Sequence, residues 1–366
     1  MREAEATRVG AAVPFPQNPR LSIDGRPGLD AATRGERGYA ASLDVMFEVG
    51  GAPGARVREA DQRVRVASAD VEVARADAGV RAMQLYVGAR LAALRSEQTR
   101  EAIALAERLA AAASERQAAG AGSDIDITSA AVELSERKAE LLSSEEDRAR
   151  LEEELRFHLG VAAGIALSLT SGVEGPAPAP AVGALLARAL AGRPDLAAID
   201  ARLALLDASD ERLRKEARPK VGAFAAVDAS PASPMFGVFG LSFELPFFQR
   251  NQGPRSVVAA ERQTERERLE IARKRIDLAV RTARAAYASR LAELDELVRK
   301  GLPAAKRRLE LTEQGWRAGR FDVFRLTTAA SDVVRLAQKR LEVLQRIWDE
   351  RLLIERLTGG FDDTGS

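Results

Sequence analysis

Two stretches of about sixty residues each are built almost wholly of helix-forming side chains, and they start about 200 residues apart. The first runs roughly from Ala55 to Ala118 without a proline, and the second from Arg255 to Gln314 with only Pro303 inside it. At a rise of 1.5 Å per residue each would extend about 90 Å or more. Compact domains rarely use helices of that length, so coiled-coil packing is expected. Ala, Arg, Leu and Glu dominate, and aromatics are only 5%. That balance suits long helices with narrow Ala/Leu seams rather than a thick globular core.

The long runs belong to a pattern that occurs twice. One copy opens with Asn18-Pro19-Arg20-Leu21-Ser22 and the other with Arg218-Pro219-Lys220-Val221-Gly222. A period-two stretch follows in each. Tyr39, Ala41, Leu43, Val45, Phe47 and Val49 alternate with polar or small residues, as do Phe239, Leu241, Phe243, Leu245 and Phe247. The phases agree: Ser42 matches Ser242, Leu43 matches Phe243, Asp44 matches Glu244 and Val45 matches Leu245. Alternation of this kind predicts strands with one apolar and one polar face. Turn-rich segments, Arg26 to Gly38 and Ser230 to Pro234, precede the alternating stretches and read as hairpin tips.

The predicted organisation follows. Residues 1–17 are the remnant of a preceding helix. Repeat 1 covers 18–160, with a hairpin at about 18–50, a long helix at 55–118 and a return helix at 124–159. A Gly/Pro/Ala linker with a short helix fills 161–193. Repeat 2 covers 194–360, with a helix at 194–217, a hairpin at about 219–249, a long helix at 255–314 and a return helix at 322–357; 361–366 is a tail. Gly-containing corners are expected at Ala119 to Ser123 and Gly315 to Gly319, and Gly160 and Gly359 as caps of the return helices.

Four strands with open edges and an apolar face cannot stand alone in water or lipid. Closure into a barrel needs strands from several chains. The alternating segments hold about 10 residues, enough to cross a bilayer as tilted barrel strands. Three chains would close a barrel of twelve strands; the strand count alone does not choose three over four.

Composition removes other classes. Lys+Arg (55) and Asp+Glu (54) nearly cancel, and a net charge of +1 gives no reason to expect a nucleic acid. With no cysteine and one histidine, His158, the chain holds neither thiolate chemistry nor a histidine metal cluster. The Gly clusters lack a phosphate-loop Lys-Ser/Thr, and the four Met residues form no soft-metal ladder. Carboxylate pairs on the helices, as in EEDRARLEEELR (Glu145 to Arg156), read as a solvated face. No catalytic residue, cofactor or metal site is indicated. The first residues lack an apolar secretion segment, which taken alone points to the cytoplasm.

In order and spacing, Asn18-Pro19, GRPDL (Gly192 to Leu196), LPFFQRNQG (Leu245 to Gly253), GWRAGRFDVFRL (Gly315 to Leu326) and the terminal RLTG resemble the TolC-like outer-membrane efflux proteins. The resemblance covers almost the whole chain and is strongest to the branch serving heavy-metal pumps of the resistance-nodulation-division (RND) type. It implies a mainly α protein with a small β part: a long α-helical coiled-coil barrel plus two β-hairpins giving four strands to a trimeric 12-stranded outer-membrane β-barrel. It implies a homotrimer in the outer membrane extending into the periplasm, a periplasmic adaptor and an inner-membrane RND pump as partners, and passive export of substrates, metal ions among them. Measured against that family, the chain is expected to lack the signal and the first helix pair, since only 17 residues precede Asn18.

The resemblance also places site residues. Asp322, Arg325 and Asp126 match the periplasmic aperture; Asp322 and Arg325 share a helix face and could pair across protomers. The same carboxylates also suit helix starts, Asp322 as an N-cap. In a barrel, Asp44, Glu48, Ser242 and Glu244 would line the lumen, and Tyr39, Leu43, Phe47, Phe243 and Phe247 would face lipid. A soluble coiled-coil scaffold and a non-functional truncated remnant stay open as alternatives.

Overall fold

The computed structural model describes residues 2–360 apart from 12, 14, 16, 28–36, 119–123, 163, 171, 174, 179 and 231–232. The elements are α1 (Arg2–Ala11), β1 (Arg20–Pro27), β2 (Arg37–Phe47), α2 (Ala52–Ala118), α3 (Asp124–Leu159), α4 (Val182–Gly192), α5 (Pro194–Glu216), β3 (Lys220–Ser230), β4 (Ser233–Glu244), α6 (Gln252–Glu296), a π-helix (Leu297–Gly301), α7 (Leu302–Arg317) and α8 (Val323–Leu357). The chain is mainly helical, with one four-stranded antiparallel sheet in the order β1-β2-β3-β4. Residues 28–36 of the first hairpin tip, 231–232 of the second, the corner at 119–123 and the tail at 361–366 lie outside the described residues.

Local chemistry explains where the elements stop. Both long helices start before the predicted Gly/Pro corners end, at Ala52 and Gln252, because Pro53 and Pro254 fall in the first helical turn, where an N–H is unpaired in any case. The return helices finish alike. Val161 N donates to Arg156 O and Gly360 N to Glu355 O, with Gly160 (φ 68°) and Gly359 (φ 101°) in the left-handed region that the motif requires. Strand β4 stops at Glu244, three residues short of the predicted alternation. Pro246 has no N–H for the ladder, and Phe247 N donates to Leu245 O instead. Strand β2 stops at Phe47, so Glu48 falls beyond it and pairs with Arg56 at 2.7 Å.

The chain divides into two compact units. The first comprises Met1–Ala74 and Pro194–Arg273 and contains the sheet. Beside the sheet, α5 is held by ions: Arg58 to Glu211 and Arg202 to Asp70 on α2, Arg255 to Asp210 and Arg262 to Asp207 on α6. The buried Glu59 receives Ser209 Oγ, Arg63 and Arg212, so its charge is fully partnered.

The second unit comprises Arg75–Arg193 and Lys274–Ser366. Its core joins Val87, Leu91 and Leu94 of α2 to Leu341 and Leu344 of α8, with Val173 of the Gly/Pro linker. The linker is a strap: Trp348 Nε1 donates to Val173 O (2.8 Å) and Tyr287 Oη to Ala177 O (2.6 Å), so a half-buried and a buried aromatic satisfy their polar ends on it.

Candidate functional site: a two-faced sheet and a helical turn

The strand registers sort every side chain of the sheet onto a face. Leu21 pairs with Leu43, Leu43 with Ala225, and Ala225 with Phe239, which fixes one transverse row. Among residues whose side chains are described, the rows in phase with it give a face of Leu21, Ile23, Tyr39, Ala41, Leu43, Val45, Phe47, Val221, Ala223, Ala225, Val227, Phe239, Leu241 and Phe243, without a charge. Much of it is uncovered: Ile23 is 74% exposed, Phe239 85% and Leu241 65%. In water, apolar surface on this scale drives association or insertion. The opposite face carries Arg20, Ser22, Asp24, Ser42, Asp44, Asp228, Ser242, Lys220 and Glu244, interspersed with Phe224, Phe236 and Val238. Lys220 and Glu244 pair across β3 and β4 at 3.5 Å.

Tyr39, Leu43, Phe47 and Phe243 therefore share the apolar face, and Asp44, Ser242 and Glu244 the polar one. Phe247 and Glu48 sit beyond the strand ends. The two outer strands, β1 and β4, each have a strand neighbour on one side only. No helix among the described residues is long and apolar enough to cross a membrane, which says nothing of a β-barrel.

A second feature lies in the α7–α8 turn. Helix α7 runs through the corner predicted at Gly315 and ends at Arg317, because Phe321 folds back onto Gly315 and leaves no room there for a side chain. Gly319 N donates to Trp316 O and Arg320 N to Gly315 O. Asp322 caps α8, accepting from Arg325 N at 2.9 Å, while the Arg325 guanidinium lies 5.3 Å from the Phe321 ring centre. Within one chain, Asp322 and Arg325 thus meet through carboxylate and backbone rather than as an ion pair. The side chain of Asp126 lies outside the described residues. Sequence reasoning missed Arg116 of α2, which donates to Trp316 O (3.3 Å) and stacks on the buried Trp316 ring at 5.0 Å. Two residues 200 apart carry no local signal of that contact.

A protein-family model described as Outer membrane efflux protein matches residues 185–360. That match takes in a little under half of the chain and gives its C-terminal portion the pattern of the outer membrane efflux proteins. It is similar to the cobalt-zinc-cadmium resistance protein CzcC of Cupriavidus metallidurans, 25% identical over 98% of this chain and 85% of the relative. Among solved structures it resembles CusC, with a TM-score of 0.78 at 16% identity over 98% of this chain and 87% of that one. VceC of Vibrio cholerae gives a TM-score of 0.76 at 16% identity, over 98% and 90%. At such identities the structures establish the fold, which is that of the TolC-like channels. Taken together, these likenesses place the chain with the outer-membrane efflux channels, which extend into the periplasm and are not enzymes. Channels of this family trimerise and pair with an adaptor and an inner-membrane pump.

Proposed function

We propose that three copies of this chain close one twelve-stranded barrel in the outer membrane and pass metal ions outward, delivered by an RND pump through a periplasmic adaptor. The observation that carries this reading is the sheet. One face is apolar and uncovered, and strands β1 and β4 have free edges. Edge-to-edge closure removes both liabilities at once. The apolar face with Tyr39, Leu43, Phe47 and Phe243 then meets lipid, with Phe247 at its margin. The other face, with Asp44, Ser242 and Glu244, meets water in the lumen, with Glu48 at its base. The repeats meet the periplasm through their return turns, and Asp322, Arg325 and Asp126 stand at the narrow end. Metal ions as cargo rest on the similarity to CzcC.

Native mass spectrometry of the detergent-solubilised protein should give three chains. Cysteine pairs stepped along β1 (Leu21 to Asp24) and β4 (Phe239 to Ser242) should crosslink between chains; a stable monomer would overturn the barrel. In cells with a pump and adaptor of this type, the chain should raise tolerance to cobalt, zinc or cadmium. Restored tolerance to an organic dye with none to metals would overturn the choice of cargo alone.

A further inference from the structure

The second long helix is broken in a way its packing does not demand. In α-helical geometry Pro303 would lack an N–H for the carbonyl four residues back, and its ring would press on that carbonyl. The chain passes it with one wide turn, the π-helix Leu297–Gly301, closed by Leu302 N donating to Leu297 O five residues back. Such turns concentrate at kinks and functional sites.

Gly301 stands two residues before the proline, yet neither backbone nor space asks for glycine there. Its φ and ψ are −60° and −58°, ordinary helical values, and a β-carbon would meet Leu297 at an ordinary 3.7 Å. Two helix-weakening residues therefore sit within one turn with no steric cause for one of them.

Beneath this turn the wall is also loosely filled. A cleft of about 480 Å³ opens among α2, α7 and α8, lined by Leu94, Gln98, Ala102, Leu302, Val334 and Ala337. Gln98 Oε1 and Arg340 Nε, from side chains lining the same cleft, are buried without a hydrogen-bond partner. A seam filled to crystal density resists bending, whereas a gap with unpaired polar atoms lowers the cost of leaving this arrangement.

We propose that Leu297–Pro303 is a flexure through which α7 and the start of α8 swing together, moving the Gly315–Arg325 turn. As a device for changing the width of the channel, this rests on the reading of that turn as the aperture.

The chain has no cysteine, so introduced ones can be labelled cleanly. Spin labels on Ala285→Cys and Gln314→Cys straddle the π-helix and would lie about 43 Å apart along a continuous α-helix. A control pair, Gln84→Cys and Ser114→Cys, spans the unbroken α2. The measurement is made on the solubilised full-length protein, diluted with unlabelled chains. The straddling pair should give a broader distance distribution than the control. The double variant Gly301→Ala with Pro303→Ala should narrow it to the control's width. Amide exchange across Leu302–Arg317 should slow roughly fivefold or more in that variant, the factor that about 1 kcal/mol of restored helix propensity gives. A native distribution as narrow as the control, or one unchanged in the double variant, overturns the flexure. Distances that narrow while single-channel opening stays the same support the flexure and overturn the aperture reading of the turn.

Discussion

The two repeats agree in their strands and differ in their walls. Both hairpins put the apolar set on one face in the same phase, from Leu21 and Leu43 through Ala225 to Phe239. The long helices part company. Helix α2 runs unbroken for 67 residues, whereas its counterpart is α6, a π-turn and α7. At an offset of about 200 residues, Pro303 stands opposite Ile103 and Gly301 opposite Glu101, both compatible with an unbroken helix. The sheet face is under one constraint in both copies, that of apolar surroundings, and a one-residue slip would invert it. The wall helices are not so bound, since an elongated seam tolerates a local rearrangement that keeps its apolar stripe. The break in repeat 2 is therefore a departure from a template the same chain carries intact.

Exchanging the two characters gives the largest expected effect. Ile103→Pro places a proline in the interior of α2, with no wide turn to receive it, and should cost about 3 kcal/mol or more. Pro303→Ala should cost nothing in stability, and thermal unfolding of the two variants measures the contrast. Equal midpoints would mean that α2 can form a π-turn as readily as its counterpart, and the distinction between the repeats would collapse.

Much of this architecture was legible in the sequence because its signals are periodic and duplicated. Alternation at Tyr39 to Phe47 and at Phe239 to Phe243 has a period that only a strand uses, and the register confirms which residues share a face. The illegible parts depend on partners. Glu48 continues the alternation yet is drawn off by Arg56, eight residues further along and in the next element. Gly315 reads as a corner until Phe321 is seen to lie on it. The π-turn was hidden because Pro303 alone signals an interruption without saying whether the helix kinks, stops or widens. Among the residues proposed for the aperture, Asp322 was legible as a capping position, which is a local property, whereas the Arg116–Trp316 contact closes across 200 residues.

The starts of the return helices sharpen the comparison at a smaller scale. In repeat 2, Asp322 caps its own helix through Arg325 N. In repeat 1, the carboxylate of Asp124 receives Gln117 of the preceding helix instead. Asp322→Ala should cost about 1 kcal/mol by thermal unfolding, the usual loss for an N-cap, and Asp322→Ser should recover most of it. Conductance separates cap from charge. If Asp322→Ser restores stability but not the native conductance, the carboxylate matters to the aperture; if it restores both, Asp322 acts only as a cap.

The smallest effect concerns a staple that repeat 2 has and repeat 1 lacks at the same positions. Asp332 of α8 accepts from Arg335 at 2.8 Å and also pairs with Arg308 of α7, whereas the offset positions are Val132 and Arg108. The hydrogen bond from Arg335, aided by the charge of Arg308 against some desolvation, holds the Asp332 carboxyl below its ordinary 3.8. A depressed folded value means that the ionised form is the one stabilised. The contribution is then fully present above the unfolded value, near pH 4, and is lost as pH falls through the folded value below it. Because the pair is partly solvated, its worth is at most about 1 kcal/mol. Asp332→Asn should therefore lower the unfolding midpoint slightly at neutral pH, and the gap to the native protein should narrow as pH falls below about 4. Asp210 and Glu211, held low by their own Arg and Lys neighbours, titrate in both proteins and cancel in the difference. A gap that does not narrow at all below about pH 4 would show that the asparagine acts through packing alone, and would remove the staple from the contrast between the two repeats.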